Sequence, residues 1–173
     1  MQRIMIIGCG GSGKSTLAKQ IHQATGLPLI HLDQHYWHPG WVETPKADWN
    51  SIVQDFADQE RWVIDGNYGG TMDIRLQRAT MVIFLDRSAV FCLWGIIKRR
   101  IQYRGVSRPD VAEGCPERIT WEFIFYILGY NHTRRPYFLK KLQNLPVQTE
   151  VRILRSNRAV QHFLKELSND SNA

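Results

Sequence analysis

The sequence predicts an α/β fold of three layers, with a five-stranded parallel sheet between helices and a small helical lid. Three observations lead there. Five short apolar runs, at 3–7, 28–32, 62–65, 81–85 and 151–154, alternate with helical stretches, the order that builds a parallel sheet with right-handed crossovers. The runs are nearly continuous in apolar residues, as strands covered on both faces must be. Between the first run and the first helix lies Gly8-Cys9-Gly10-Gly11-Ser12-Gly13-Lys14-Ser15-Thr16, which fits G-x-x-x-x-G-K-[ST] in the strand–loop–helix context that motif requires.

The loop has a physical rationale. Glycines let successive backbone N–H groups converge on phosphate oxygens, since no Cβ blocks their approach or forbids positive φ. The helix starting near Lys14 adds its unpaired N–H groups and positive dipole end. Lys14 can reach β- and γ-phosphates, and the Ser15 hydroxyl can ligate Mg²⁺. Gly8, Gly10, Gly11, Ser12, Gly13, Lys14, Ser15 and Thr16 are therefore the expected nucleotide-binding set, with ATP or ADP and Mg²⁺ as the implied cofactors.

The elements follow in order. Leu17, Ala18, Ile21 and Ala24 form the stripe of the first helix, which stops at Thr25-Gly26 with Pro28 beyond. The second strand ends at Asp33. Residues 34–44 are aromatic and irregular (Tyr36, Trp37, His38, Pro39, Gly40, Trp41), a composition expected to cover something. Thr44-Pro45 opens a helix to about Gln59, with Trp49, Ile52, Val53 and Phe56 as its stripe. The third strand closes on Gly66-Asn67-Tyr68-Gly69-Gly70, and a short helix follows over 72–78. The fourth strand ends at Asp86. Residues 90–103 read as a helix whose second half is basic, 105–116 as a loop, and 117–130 as an aromatic helix. Helices at 136–142 and 159–167 flank the fifth strand, and 168–173 reads as a polar, frayed tail.

At 173 residues, with 43% hydrophobic and 22% charged residues, the chain is expected to form one domain, 1–173, with a lid insertion at about 104–118. No apolar run reaches the ~18 residues that span a bilayer, and the N-terminus lacks a signal-peptide layout. Cys9, Cys92 and Cys115 form no C-x-x-C pair, so a reduced, cytoplasmic protein is expected, monomeric or dimeric. Charge is uneven: residues 1–96 carry 8 Lys/Arg against 9 Asp/Glu, and residues 97–173 carry 14 against 7. A basic segment of this kind suits nucleotide phosphates or nucleic acid.

In open parallel sheets ligands lie outside the carboxyl ends of the strands. The glycine-rich loop, Asp33, Asp65-Gly66 and Asp86 then share one edge. Either Asp65 or Asp86 ends an apolar strand where a Mg²⁺ carboxylate belongs, and periodicity does not choose. Asp33 is the candidate for holding an acceptor. Arg100 and Arg104, four apart on a helix, are candidates for stabilising a migrating phosphoryl group, with 105–116 as a lid that shuts out water. His31, His35 and His38 are too loosely spaced for a transition-metal site. The aromatic run 121–126 reads as packing under the lid rather than as a base-stacking surface. No Asn-Lys-x-Asp guanine motif occurs, and the chain is short for an AAA⁺ module.

These residues resemble the nucleoside-monophosphate-kinase type of phosphate-binding-loop protein, similar to adenylate kinase and shikimate kinase. Ile64-Asp65-Gly66 resembles the adenylate kinase strand ending in Asp-Gly, which implies Asp65, with Ser15, as the Mg²⁺ residue. Lys98-Arg99-Arg100-Ile101-x-x-Arg104 resembles that family's lid entry. It implies Arg100 on the adenine, Arg104 on the transferring phosphates, and Asn157-Arg158 near the base. A closer resemblance is to a bacterial family labelled topology modulation proteins. It is carried by His31-Leu32-Asp33, Trp37-x-Pro39-Gly40-Trp41, Ile64-Asp65-Gly66-Asn67-Tyr68, Lys98-Arg99-Arg100-Ile101, Tyr103-Arg104-Gly105 and Arg108-Pro109-Asp110-x-x-Glu113-Gly114-Cys115-Pro116.

Adenylate kinase has Pro-Arg after its Asp-Gly where this chain has Asn67-Tyr68, and its AMP-site Thr-Gly-Arg signature is missing here. The acceptor implied is thus AMP or a small hydroxylated or aromatic molecule, held by Asp33, Trp37, Asp65, Gly66, Asn67, Tyr68, Arg75 and Arg108. The expected activity is transfer of the ATP γ-phosphoryl group to such a molecule, with Lys14, Arg100 and Arg104 as the catalytic residues. The alternative is a nucleotide-regulated, DNA-associated protein that affects DNA topology without kinase activity.

Overall fold

Alternate residues of the first strand, β1 (Arg3–Gly8), serve two different cores, and that division organises the molecule. Ile4 and Ile6 join one cluster with Leu17, Ala18, Ile21, Phe163 and Leu167. Met5 and Ile7 join another with Trp49, Val53, Phe84, Ile127 and Phe138. Side chains of a strand alternate across the sheet, so a continuous apolar run requires cover on both sides. The computed structural model describes residues 3–171.

The main sheet comprises β1, β2 (Leu29–His31), β5 (Trp62–Asp65), β6 (Met81–Leu85) and β7 (Glu150–Leu154), in the order β2-β5-β1-β6-β7. Every pairing in it is parallel. Helices α1 (Lys14–Thr25) and α8 (Asn157–Ser171) pack together over one face. The other face carries α3 (Lys46–Asp58), α4 (Met72–Arg78), α5 (Ala89–Gln102), α6 (Trp121–Thr133) and α7 (Arg135–Gln143). The strand order puts β1 at the centre, with the carboxyl end of β5 on one side of the loop and that of β6 on the other.

Several boundaries differ from the sequence reading. The 34–44 stretch is ordered: α2 (Leu32–Tyr36) leads into an antiparallel hairpin of β3 (Trp37–His38) and β4 (Val42–Glu43). Asp33 therefore sits in the first turn of a helix, not at a strand end. The lid is not helical. Between Gln102 and Trp121 the described residues form turns and one antiparallel bridge, Ser107 to Pro116. Prolines at 109 and 116 and glycines at 105 and 114 explain this, since both types break helices. Helix α6 begins only after Thr120, whose hydroxyl accepts from the Phe123 N–H as an N-cap. At the other end α8 continues through Ser171, so residues expected to fray are helical; 172–173 lie outside the described residues. Among the described residues no helix is long and apolar enough to cross a membrane.

Candidate active site

The loop between β1 and α1 is shaped by its glycines and by what packs on it. Gly11 has φ 77°, and a Cβ there would lie 2.2 Å from the Cys92 carbonyl oxygen, so α5 can press directly on the loop. Gly13 has φ 97° and caps α1 in the left-handed region, with no side chain serving the first N–H groups of the helix. Those donors and the dipole end are thus open to an anion. Ser12 is buried and its Oγ has no hydrogen-bond partner, an orphan polar atom that a bound phosphate would satisfy. The Lys14 ammonium donates to the Cys9 carbonyl at 3.0 Å and curls over the same loop.

The side chains set Asp65 and Asp86 in different surroundings. The Ser15 hydroxyl donates to Asp65 Oδ2 at 2.8 Å, and His31 Nδ1 lies 2.5 Å from Oδ1, with both ring and carboxylate buried. Asp86 is instead gripped by Arg135, at 2.6 and 2.8 Å, and by Arg155 at 3.1 Å. Those hydrogen bonds, Arg135's first, hold its carboxyl below the usual range despite burial. A hydroxyl and a carboxylate converging at the loop suit Mg²⁺, which takes few protein ligands and keeps water. Ser15 and Asp65 fit that ion; Asp86 does not reach the loop's cleft.

That cleft, ≈ 1270 Å³, is lined by residues 10–16 of the loop, Asp33, Asp65, the 66–68 turn, Trp37 and Arg108, among others. Loop and acceptor candidates therefore face one space. Tyr68 donates to Asp33 Oδ1 at 2.6 Å, and Arg108 Nη2 lies 3.9 Å from Oδ2. Asp33's side chain is still 42% exposed. Even so, the walls strip enough water to raise its carboxyl above the usual range, against the opposing pull of Tyr68 and Arg108. Tyr36, Trp49 and Tyr68 form an aromatic cluster with ring centroids 4.7–5.0 Å apart behind this wall.

The segment between α5 and α6, expected as the lid, packs on the hairpin and on α2. Gly40 N–H donates to the Gly114 carbonyl at 2.9 Å, Trp41 Nε1 to Pro116 at 3.1 Å and Gln34 Nε2 to Pro109 at 2.5 Å. Arg118 stacks over Trp41, 5.0 Å from the ring centre. The aromatic stretch 34–44 is thus the surface on which this segment rests.

Four expected residues fall elsewhere. Arg75 is fully buried and donates to the carbonyls of Gly66, Asn67 and Tyr68 at 2.8, 2.6 and 3.1 Å. It braces the turn from beneath rather than binding substrate. Desolvation there pushes its pKa down to about 9. Arg100 and Arg104 do not line the cleft; Arg99 and Arg108 do. One residue along a helix turns a side chain by about 100°, so Arg99 and Arg100 leave α5 in different directions, and Arg104 is an exposed residue of the turn after α5. Arg158 is exposed and outside the cleft, whereas Asn157 lines it and accepts from Arg87 at 2.8 Å. Asn67 is committed to structure as well: it accepts from Gly8 N–H at 3.0 Å and donates to the Gly8 carbonyl at 2.8 Å, stapling β5 to the loop.

Other residues at the site were not in the expected binding set. His31 pairs with Asp65. Asp110, in the lid, is pushed up by burial but held below the usual range by Arg108 at 3.0 Å and by the Ser15 hydroxyl. Glu117, 3% exposed, sits between Arg99 and Arg108. Of the aromatic run at 121–126, Phe123 and Tyr126 stack and line the cleft while Trp121 and Phe125 point outward, 73% and 67% exposed. A helix with its core on one side and a cleft beside it cannot bury all its aromatics.

No family model and no curated protein matches the chain. Solved structures do. A shikimate kinase from Bacteroides thetaiotaomicron is similar at 18% identity and TM-score 0.57, covering 99% of each chain. A shikimate kinase from Acinetobacter baumannii, in complex with shikimate, is similar at 13% identity and TM-score 0.61, over 96% of this chain and 90% of that one. A gluconokinase from Sinorhizobium meliloti gives 16% identity and TM-score 0.52, over 99% and 91%. What these proteins share with this one is the fold: the five-stranded, all-parallel sheet of the shikimate-kinase-like phosphate-binding-loop class.

Proposed function

We propose that this protein is an ATP-dependent phosphotransferase whose acceptor is a small hydroxylated molecule. The observation that carries the reading is that the Gly8–Thr16 loop and Asp33 open onto the same cleft beneath a lid bearing Arg108. The loop N–H groups, Ser12 and Lys14 would hold the nucleotide phosphates, and Ser15 with Asp65 would hold Mg²⁺, which supplies charge neutralisation at the β- and γ-oxygens. Asp33 would orient the acceptor hydroxyl and take its proton, with Trp37 as a flat wall beside it. Arg99 and Arg108 supply the cations that face the migrating group. Lid closure excludes water and so disfavours hydrolysis. That kinases of this fold include proteins named for shikimate and gluconate supports a hydroxyl acceptor over AMP.

The test is incubation with Mg·ATP and panels of nucleotides, sugar acids, cyclic hydroxy acids and aromatic alcohols, reading phosphorylated product by mass spectrometry. Lys14→Ala is expected to lower transfer by at least about a hundredfold, since it removes a preorganised cation from the developing charge. Transfer to no acceptor would sink the proposal. A second reading, nucleotide-regulated DNA association as the topology-modulation resemblance implies, draws on Arg100 and Arg104 lying outside the cleft. It requires duplex DNA affinity that falls steeply with salt and changes with bound nucleotide.

The acid limb of the rate profile tests Asp33's role. A base must be deprotonated to accept the hydroxyl proton, and burial raises this carboxyl. Transfer should therefore rise with pH through an apparent pKa above the ordinary aspartate value, and Asp33→Asn should remove that limb with most of the rate. A limb left unchanged by Asp33→Asn would assign the base elsewhere.

A further inference from the structure

The two arginines at the cleft come from different parts of the chain, and one buried carboxylate joins them. Arg99 belongs to α5, a helix fixed to the core through Cys92 and Ile96. Arg108 belongs to the lid, which is held by contacts with the hairpin, with Gln34 and Asp33 of α2 and, through Asp110, with the Ser15 hydroxyl, as well as by this pairing. Glu117 Oε1 accepts from Arg99 Nε at 2.8 Å, and Glu117 Oε2 lies 2.7 Å from Arg108 Nε. The second contact is off the hydrogen-bond line, so it is held by charge. Both arginines are met through Nε. Arg108 Nη1 then reaches Asp110 at 3.0 Å and its Nη2 lies 3.9 Å from Asp33, and both arginines line the cleft.

We infer that Glu117 is a positioning residue: its carboxylate yokes the lid arginine to the helix arginine, so that lid closure and alignment of the two phosphoryl-facing cations are one event. This rests on the phosphotransfer reading of the cleft. The charge matters more than the shape. Two guanidiniums sharing a buried site repel each other, and after burial itself the Arg108 charge is what most lowers the Arg99 pKa. A carboxylate between them cancels that repulsion, whereas a neutral side chain of equal size does not. A buried ion triad is a poor source of stability, since desolvation offsets attraction, so its value here is geometric. Among the described ion pairs Glu117 is the one carboxylate paired with both arginines, and the Asp110 charge adds a weaker pull on Arg99.

The test compares Glu117→Gln and Glu117→Asp with the wild-type chain by amide hydrogen exchange, read by mass spectrometry, and by steady-state transfer. Glu117→Gln should speed exchange across 106–117 by at least about tenfold, the local opening expected of a lid, and leave β1, β5 and β6 unchanged. Its kcat should fall by about 10- to 100-fold, as when an orienting partner of a functional group is removed, and its KM for ATP should move by less than about threefold. Glu117→Asp should recover part of both effects. Unchanged exchange over 106–117 in Glu117→Gln would overturn the proposal, as would faster exchange spread through the sheet, which marks general destabilisation. If the wild-type chain transfers to no acceptor while Glu117→Gln still loosens the lid, the phosphotransfer reading fails and the yoke stands. A rigid lid in Glu117→Gln beside an active wild-type chain rejects the yoke alone.

Discussion

Arg108→Ala should reduce phosphoryl transfer by about a thousandfold, the lower end of what an arginine facing a migrating phosphoryl group supplies, while Arg104→Ala should stay within about threefold of wild type, the behaviour of a side chain that makes no transition-state contact. The two residues lie four apart, and both were candidates from sequence. Only Arg108 is buried at the cleft, 7% exposed, with Asp33, Asp110 and Glu117 around its guanidinium. Removing it leaves three carboxylates clustered without their shared cation, so the lid should loosen as well. Arg108→Lys separates charge from geometry. An ammonium cannot meet three carboxylates in fixed directions, and this variant should recover less than about a tenth of the lost rate. Steady-state kinetics with the acceptor found by screening, alongside Mg·ATP affinity, checks the set. Equal losses for Arg104→Ala and Arg108→Ala would mean that the lid moves much further on binding than its present contacts suggest.

The contrast between those residues shows what sequence carries. Gly8–Thr16 was legible because its function needs a fixed spacing along the chain: loop, cation and hydroxyl are all local. The central strands were legible because a strand covered on both faces has few polar positions, as in the 0% exposure of Ile4, Met5 and Ile6, whereas the edge strand β7 is only partly covered. Asp65 lay on the expected edge because strand ends of a parallel sheet converge there, whereas Asp33 reaches the same cleft from the first turn of α2. What failed depended on long-range partners. Arg75 looks like any basic residue on a short helix, and only the carbonyls of the 66–68 turn reveal it as a brace. Glu117 reads as a helix start until Arg99 and Arg108 close around it. Choosing between Arg99 and Arg100 required the rotation of α5 about its axis, which is set by Gly11 and Gly95 meeting backbone to backbone: a Cβ on Gly95 would lie 2.2 Å from the Gly11 carbonyl.

The brace has the largest expected effect on the fold itself. Arg75→Ala should destabilise the protein by about 3–5 kcal/mol, three carbonyls each losing a charged donor at about 1–3 kcal/mol apiece. At this chain length that should lower the melting temperature by roughly 10 °C. Three carbonyls, those of Gly66, Asn67 and Tyr68, would lose a charge-assisted donor in a place where Arg75 leaves no surface to water, and each unsatisfied carbonyl carries its own desolvation cost. The loss should also reach the active site. Tyr68 holds Asp33 and has φ 34°, a conformation that a tyrosine adopts only when its surroundings impose it. Without the guanidinium beneath it, the turn has less reason to keep that conformation. Thermal unfolding together with the Asp33 pH limb separates the two effects: destabilisation alone lowers the melting temperature, whereas release of the turn also shifts the limb. A melting temperature within about 2 °C of wild type, equivalent to under about 1 kcal/mol at this size, would mean that water replaces the guanidinium at those carbonyls.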